Sequence, residues 1–155
     1  MKDDNDIKEK MSYGEFLETP YKFPYENYEI IGDVIEIDKI ANTCGVLNLE
    51  IDDIFSTLSK DTVNYVVVGL SEGDDCISYA FNDAMGKLPI DVDRIARMLF
   101  NIWIPMDMPS SVQFLNSLTM FIKALPRDMY WCYGLTLDES LGGQQVKVTL
   151  IAASK

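Results

Sequence analysis

The stretch Val63-Asn64-Tyr65-Val66-Val67-Val68-Gly69-Leu70 decides how the chain folds. Four of its residues are β-branched valines, and apolar side chains fall on both parities. A segment like this needs cover on both faces, so it reads as an interior strand. Downstream, Ser71 to Asp75 is a polar turn containing Gly73. Ile77, Ala80, Phe81, Ala84, Met85 and Leu88 then recur at intervals of three and four, which marks an amphipathic helix over 75–88 stopped by Pro89. Residues 94–104 could start as helix. From Met98 they alternate, with Met98, Phe100, Ile102 and Ile104 on one face and Leu99, Asn101 and Trp103 on the other. Pro105 and Pro109 bracket a loop, and Ser110 is the candidate N-cap of a helix over 111–125. That helix would bury Phe114, Leu115, Leu118, Phe121, Ile122 and Leu125 before Pro126. Two strands close the chain, 129–137 and 146–152. They read as a hairpin whose turn draws positive-φ positions from Gly142 and Gly143.

Upstream of the deciding strand, Glu50 to Leu58 reads as a short helix with Ile51, Ile54, Phe55 and Leu58 on one face. Residues 28–44 are ambiguous. Ile30, Val34, Ile37 and Ile40 have helical spacing, whereas Ile35 and Ile37 also suit a strand; a helix closed by Gly45 is preferred. Residues 1–27 form an acidic and aromatic arm, polar to Lys10 and then dotted with Tyr13, Phe16, Tyr21, Phe23 and Tyr25 around two prolines. The expected organisation is an arm (1–27) and one α+β domain (28–155). That domain is a two-layer arrangement of a mixed four-stranded sheet, with a C-terminal hairpin and helices packed on it.

Composition narrows the function. The chain has 155 residues, 48% hydrophobic and 25% charged, enough for one domain with its own core. Its net charge of -12 speaks against a nucleic-acid backbone or an anionic membrane surface as partner. There is no histidine, which removes Ser-His-Asp and Cys-His catalysis. Cys44, Cys76 and Cys132 are widely spaced and offer no zinc-type pair, so they read as small buried hydrophobes in a reducing compartment. No metal or cofactor is expected. Trp103, Trp131 and the methionines within apolar segments read as packing. With no apolar leader after the charged first ten residues and no apolar run long enough to span a bilayer, the bacterial cytoplasm is the default location.

Two stretches carry a resemblance. The first runs from Tyr133-Gly134 through Asp138-Glu139-Ser140-Leu141 to Val146-Lys147-Val148-Thr149-Leu150-Ile151-Ala152. It resembles the final hairpin of the C-terminal domain of FtsZ, the bacterial tubulin homologue. Leu99-Phe100-Asn101-Ile102 is similar to a Leu-(Val/Phe)-Asn-Ile strand of the same family. The second stretch is Gly45-Val46-Leu47-Asn48-Leu49-Glu50-Ile51-Asp52-Asp53-Ile54. It resembles that family's synergy loop, which enters the nucleotide pocket of the next subunit, where its acids orient the water that attacks GTP. The resemblance covers roughly residues 45–153 and implies an FtsZ/tubulin C-terminal-domain-like fold.

It further implies Asn48, Glu50 and Asp53 as the in-trans catalytic counterparts, with Gly45, Val46, Leu47 and Leu49 as the binding interface. Glu50 stands where the family has Asp, and one extra methylene displaces a carboxylate by about an ångström, enough to weaken catalysis. On spacing alone the stronger reading of these acids is a solvated loop and helix N-terminus, where the helix dipole favours them; only the resemblance makes a partner-facing role as good a reading. The only phosphate-loop echo, Gly69 to Gly73, carries Glu72 and runs into Asp74 and Asp75, so it is rejected. The expectation is a protein without the nucleotide-binding domain, not a GTPase alone. It would dock on FtsZ or an FtsZ-like subunit, or associate with itself. The alternative is a stand-alone binding or self-assembling module.

Overall fold

The computed structural model describes residues 22–43, 45–107 and 112–155. Tyr13, Phe16, Tyr21, Cys44 and the Ser110 cap lie outside the described residues, as does the side chain of Phe114. In chain order the elements are β1 (Ile30–Gly32), α1 (Ile35–Ala41), α2 (Ile51–Thr57), β2 (Asn64–Glu72) and α3 (Cys76–Lys87). They continue with β3 (Ile95–Ile104), α4 (Val112–Ala124), β4 (Tyr130–Leu137) and β5 (Gln145–Ser154).

The strands form one mixed sheet in the order β1-β2-β5-β3-β4. β1 runs parallel to β2, and β3 parallel to β4, while β5 is antiparallel to both β2 and β3. The mixed sheet with helices on it is therefore as expected, and three details are corrected. First, the sheet has five strands among the described residues, because Ile30 to Gly32 pairs with Asn64 to Val66. A three-residue strand is too short to show a period of two, and its isoleucines fit a helical spacing equally well.

Second, β4 and β5 are not a hairpin. β5 crosses over to lie between β2 and β3, and β4 takes the outer position beside β3. The burial patterns give the reason: β5 is buried on both faces from Val148 to Ala153, whereas β4 is half-exposed along most of its length. The strand buried on both faces occupies the interior position, and the half-exposed one lies at the edge.

Third, helices cover both faces, giving three layers instead of two. One face joins Met98, Phe100, Ile102, Val148 and Leu150 to Phe81 of α3 and Leu118 of α4. The other joins Leu99, Trp103 and Ile151 to Ile37 of α1 and Ile54 of α2. Alternate residues of β3 thus belong to opposite cores, as their parity requires. Because β3 is buried on both faces from Met98 to Ile104, one layer of helices cannot cover it.

On the α3/α4 side, Phe121 stacks on Phe81 at 4.0 Å and meets Phe100 edge-on at 5.3 Å. Leu115, expected on this buried face, is instead exposed. On the α1/α2 side, Phe23 is buried against Tyr28 and Phe55, and its N–H donates to Asp38 at 2.9 Å. α1 is tied down by Glu36, whose Oε2 lies 2.8 Å from Lys147 Nζ on β5. The strand expected from Met98 begins earlier, at Ile95, with a register shift between Ile95 and Arg97. Across the described residues no helix is long and apolar enough to cross a membrane.

Candidate functional site

Residues 45–50 lead into α2, whose first turn holds Asp53, and lie against the outer edge of β4. Leu47 forms an isolated antiparallel bridge with Leu135. Leu135 N–H donates to Leu47 O at 3.0 Å, while the N–H groups of Val46 and Leu47 both donate to Leu135 O, at 2.7 and 3.2 Å. The loop therefore acts as a short pseudo-strand on an otherwise open edge. Two glycines make this approach feasible. A Cβ on Gly45 would strike the Leu135 carbonyl, and one on Gly134 would lie 2.8 Å from Leu49 Cγ and 2.9 Å from Leu47 O. A glycine inside a strand marks such close approach. Gly134 was the one signal in the sequence that could have located the loop on β4.

The loop's side chains divide by chemistry. Leu49 is buried among Ile54, Leu99 and Ile151, anchoring the loop from within. Val46 and Leu47 point outward, 61% and 45% exposed, a large apolar exposure for adjacent residues. Asn48 is exposed, and its Oδ1 accepts the Gly45 N–H, which closes the loop on itself. Glu50 is the N-cap of α2; its carboxylate accepts the Asp53 N–H, while Asp53 Oδ2 accepts the Glu50 N–H at 2.7 Å. This reciprocal pair is a capping box with acids in both positions. The structure thus brings Gly45, Val46, Leu47, Asn48, Glu50 and Asp53 together on one outer rim and takes Leu49 into the core.

Behind Asp53 lie residues that spacing could not reveal. Thr57 Oγ1 donates to Asp53 O at 2.9 Å and lies 3.9 Å from Cys132 Sγ. Burial pushes the Cys132 thiol above its ordinary pKa, and the Asp53 charge adds to that. Tyr130 is raised by the neighbouring Cys132, by partial burial and by Asp53. The rim is therefore acidic, with weakly acidic groups beside it that stay protonated at neutral pH. No grouping of His, Cys, Asp and Glu among the described residues has the form of a metal site.

No family model matches the chain. The cell division protein FtsZ of Porphyromonas gingivalis is 27% identical over 112 residues, which is 70% of this chain and 24% of that protein. In structure, the chain is similar to the empty FtsZ dimer of M. jannaschii, with a TM-score of 0.63 at 18% identity over 76% of this chain and 34% of that one. The fold is FtsZ-like. It is also similar to TubZ of Bacillus thuringiensis serovar israelensis, in GDP-form protofilaments, with a TM-score of 0.56 at 10% identity over 79% of this chain and 35% of that one. The chain spans about a quarter of the FtsZ it matches in sequence, so the likeness is to a partial FtsZ-like domain.

Proposed function

We propose that this FtsZ-like domain docks through its 45–53 loop on a subunit of an FtsZ-like filament, in the bacterial cytoplasm, and caps or modulates its GTP-dependent assembly. The observation that carries this reading is the pairing of two exposed apolar residues, Val46 and Leu47, with a preset polar rim of Asn48, Glu50 and Asp53. Apolar residues fixed outward on a pinned loop cost little entropy to bury on a partner, which favours binding. Two of the structures it resembles are of a dimer and of protofilaments, so subunit-to-subunit contact is a property of those relatives. Seated in a nucleotide pocket, Asn48 would hydrogen-bond while Glu50 and Asp53 oriented water. Both carboxylates are engaged in the capping box, so acting on water requires them to serve the cap and the pocket together. Capping requires only the docked loop, whereas altered turnover also requires the two carboxylates to reach the attacking water. The chain alone is expected neither to bind nor to hydrolyse GTP, and micromolar affinity in calorimetry would overturn that.

The experiment adds substoichiometric protein to assembling FtsZ and follows polymer length, polymer mass and GTP turnover. Shortened polymers are expected. Leu47→Asp should remove the effect while the protein stays folded. Asp53→Asn, which keeps an acceptor for the Glu50 N–H but loses the charge, should alter turnover more than length. If several-fold excess leaves all three readouts untouched, the filament reading fails and a stand-alone binding or self-assembling module takes its place.

A further inference from the structure

β2 is longer than its outer neighbour. It runs from Asn64 to Glu72, yet β1 pairs only with Asn64 to Val66 and ends at Gly32, which has φ 130°. From Val67 onward no described strand lies on that side of β2. An open edge of this kind is a template for pairing with another chain. Asn64 donates its N–H outward to Glu29 O, so by alternation Val68 and Leu70 also present their backbone groups outward.

Those two residues are occupied by side chains from α3. Lys87 Nζ donates to Val68 O at 2.6 Å, and Leu70 N–H donates to Asp83 Oδ2 at 2.9 Å. Asp83 and Lys87 are one helical turn apart and pair at 3.2 Å. Gly69 lets them reach. A Cβ there would collide with Ala80 O and lie 2.6 Å from Ala84 N, so α3 lies close enough for its flank to fold over the strand edge. The Leu70 N–H, followed by Lys87, holds the Asp83 carboxyl below its ordinary pKa, in keeping with this contact.

We propose that Asp83 and Lys87 act as a substitute strand, occupying the open edge of β2 and keeping it from pairing with a second copy of the chain. The edge is self-complementary about Gly69. In an antiparallel pair centred there, Val68 of one copy faces Leu70 of the other, and the two exchange both backbone hydrogen bonds. Of the four backbone groups that such a dimer needs from each copy, α3 holds two, the Val68 carbonyl and the Leu70 N–H. Leu70 is 59% exposed, and beside it runs a groove of about 540 Å³ whose lining is half apolar (Val66, Val67, Val68 and Leu70) and half charged, so the opposing Leu70 side chain would find apolar contact at its valines.

The test compares the wild-type chain with the Asp83→Ala/Lys87→Ala variant by sedimentation velocity over a concentration series. Removing the guard should strengthen self-association by about tenfold or more. Adding Leu70→Pro, which deletes the outward N–H, should return the variant to wild-type behaviour. If the double variant does not fold, Lys87→Met keeps the aliphatic stem and carries the same comparison. A folded unguarded variant that sediments like wild type overturns the proposal. So does association that persists with Leu70→Pro, or wild-type association that Leu70→Pro abolishes.

Discussion

Replacing Lys147 by methionine tests what holds α1 to the sheet. The Lys147 side chain is 16% exposed and that of Glu36 8% exposed, so their 2.8 Å contact is largely out of water. Apart from the Lys147 ammonium, Glu36 Oε2 meets no donor among the described residues, and Oε1 is met at 3.1 Å by Lys39, itself half in solvent. Losing one partner of a buried pair costs about 3–5 kcal/mol, because the other charge is left uncompensated. Lys39 retains part of that compensation, which points to the lower end. Lys147 also sits over the Trp103 ring at 5.3 Å, and losing that contact adds roughly 0.5–1 kcal/mol, part of it regained by the methionine stem. The expected loss is about 3 kcal/mol, a fall in Tm of roughly 6–12 °C for a domain of this size. In the Glu36→Gln/Lys147→Met double variant no charge remains stranded, so the loss should shrink to about 1 kcal/mol, roughly 2 kcal/mol less than for Lys147→Met alone. Urea unfolding followed by tryptophan fluorescence measures both. A Lys147→Met loss below about 1 kcal/mol, or a double variant whose losses simply add, would refute the reasoning.

Three further outcomes are expected. Phe121→Ala removes the ring that stacks on Phe81 and meets Phe100 edge-on from a half-buried position, and should cost about 3 kcal/mol by denaturant unfolding. Leu49→Arg would bury a guanidinium over Gly134 and should unfold the domain, whereas Leu47→Asp on the same loop should leave Tm within a degree or two of wild type, by circular dichroism. In a Cys44→Ser background, Cys76 and Cys132 should alkylate far more slowly than a free thiol at neutral pH, because burial raises both pKa values; rates should rise with pH and jump on unfolding.

Much of the fold was legible because β3 and β5 carry apolar residues on both parities, and α3 repeats at three and four. The same strands show why the hairpin was not. Periodicity reports how many faces of a strand are covered, never which strand lies beside it. Two strands joined by a short polar turn look alike whether they pair or straddle a third. The length of the stretch reading as interior strand, 63–70, was sound, but only its first part has a neighbour on each side, and nothing in Val67-Val68-Gly69-Leu70 says so. At the candidate site, the residues of the loop were legible and their orientation was not. Which of Leu47 and Leu49 faces inward depends on the bridge to Leu135, nearly ninety positions away in the chain. The engagement of Glu50 and Asp53 in one capping box was foreshadowed by their spacing of three, with the unusual feature that an acid fills both roles.

The position of β5 bears on how the molecule is made. It is the last strand in sequence and the middle one in the sheet, and β2 and β3 each hydrogen-bond to it and not to each other. Without β5, the pairs β1-β2 and β3-β4 share no strand-to-strand hydrogen bond, so the sheet cannot close before residues 145–154 have been made. Their inner edges both await the same segment, and closing so many distant contacts at once is the slow kind of folding. Until residues 145–154 emerge, those two edges are where a second nascent chain would find its easiest purchase.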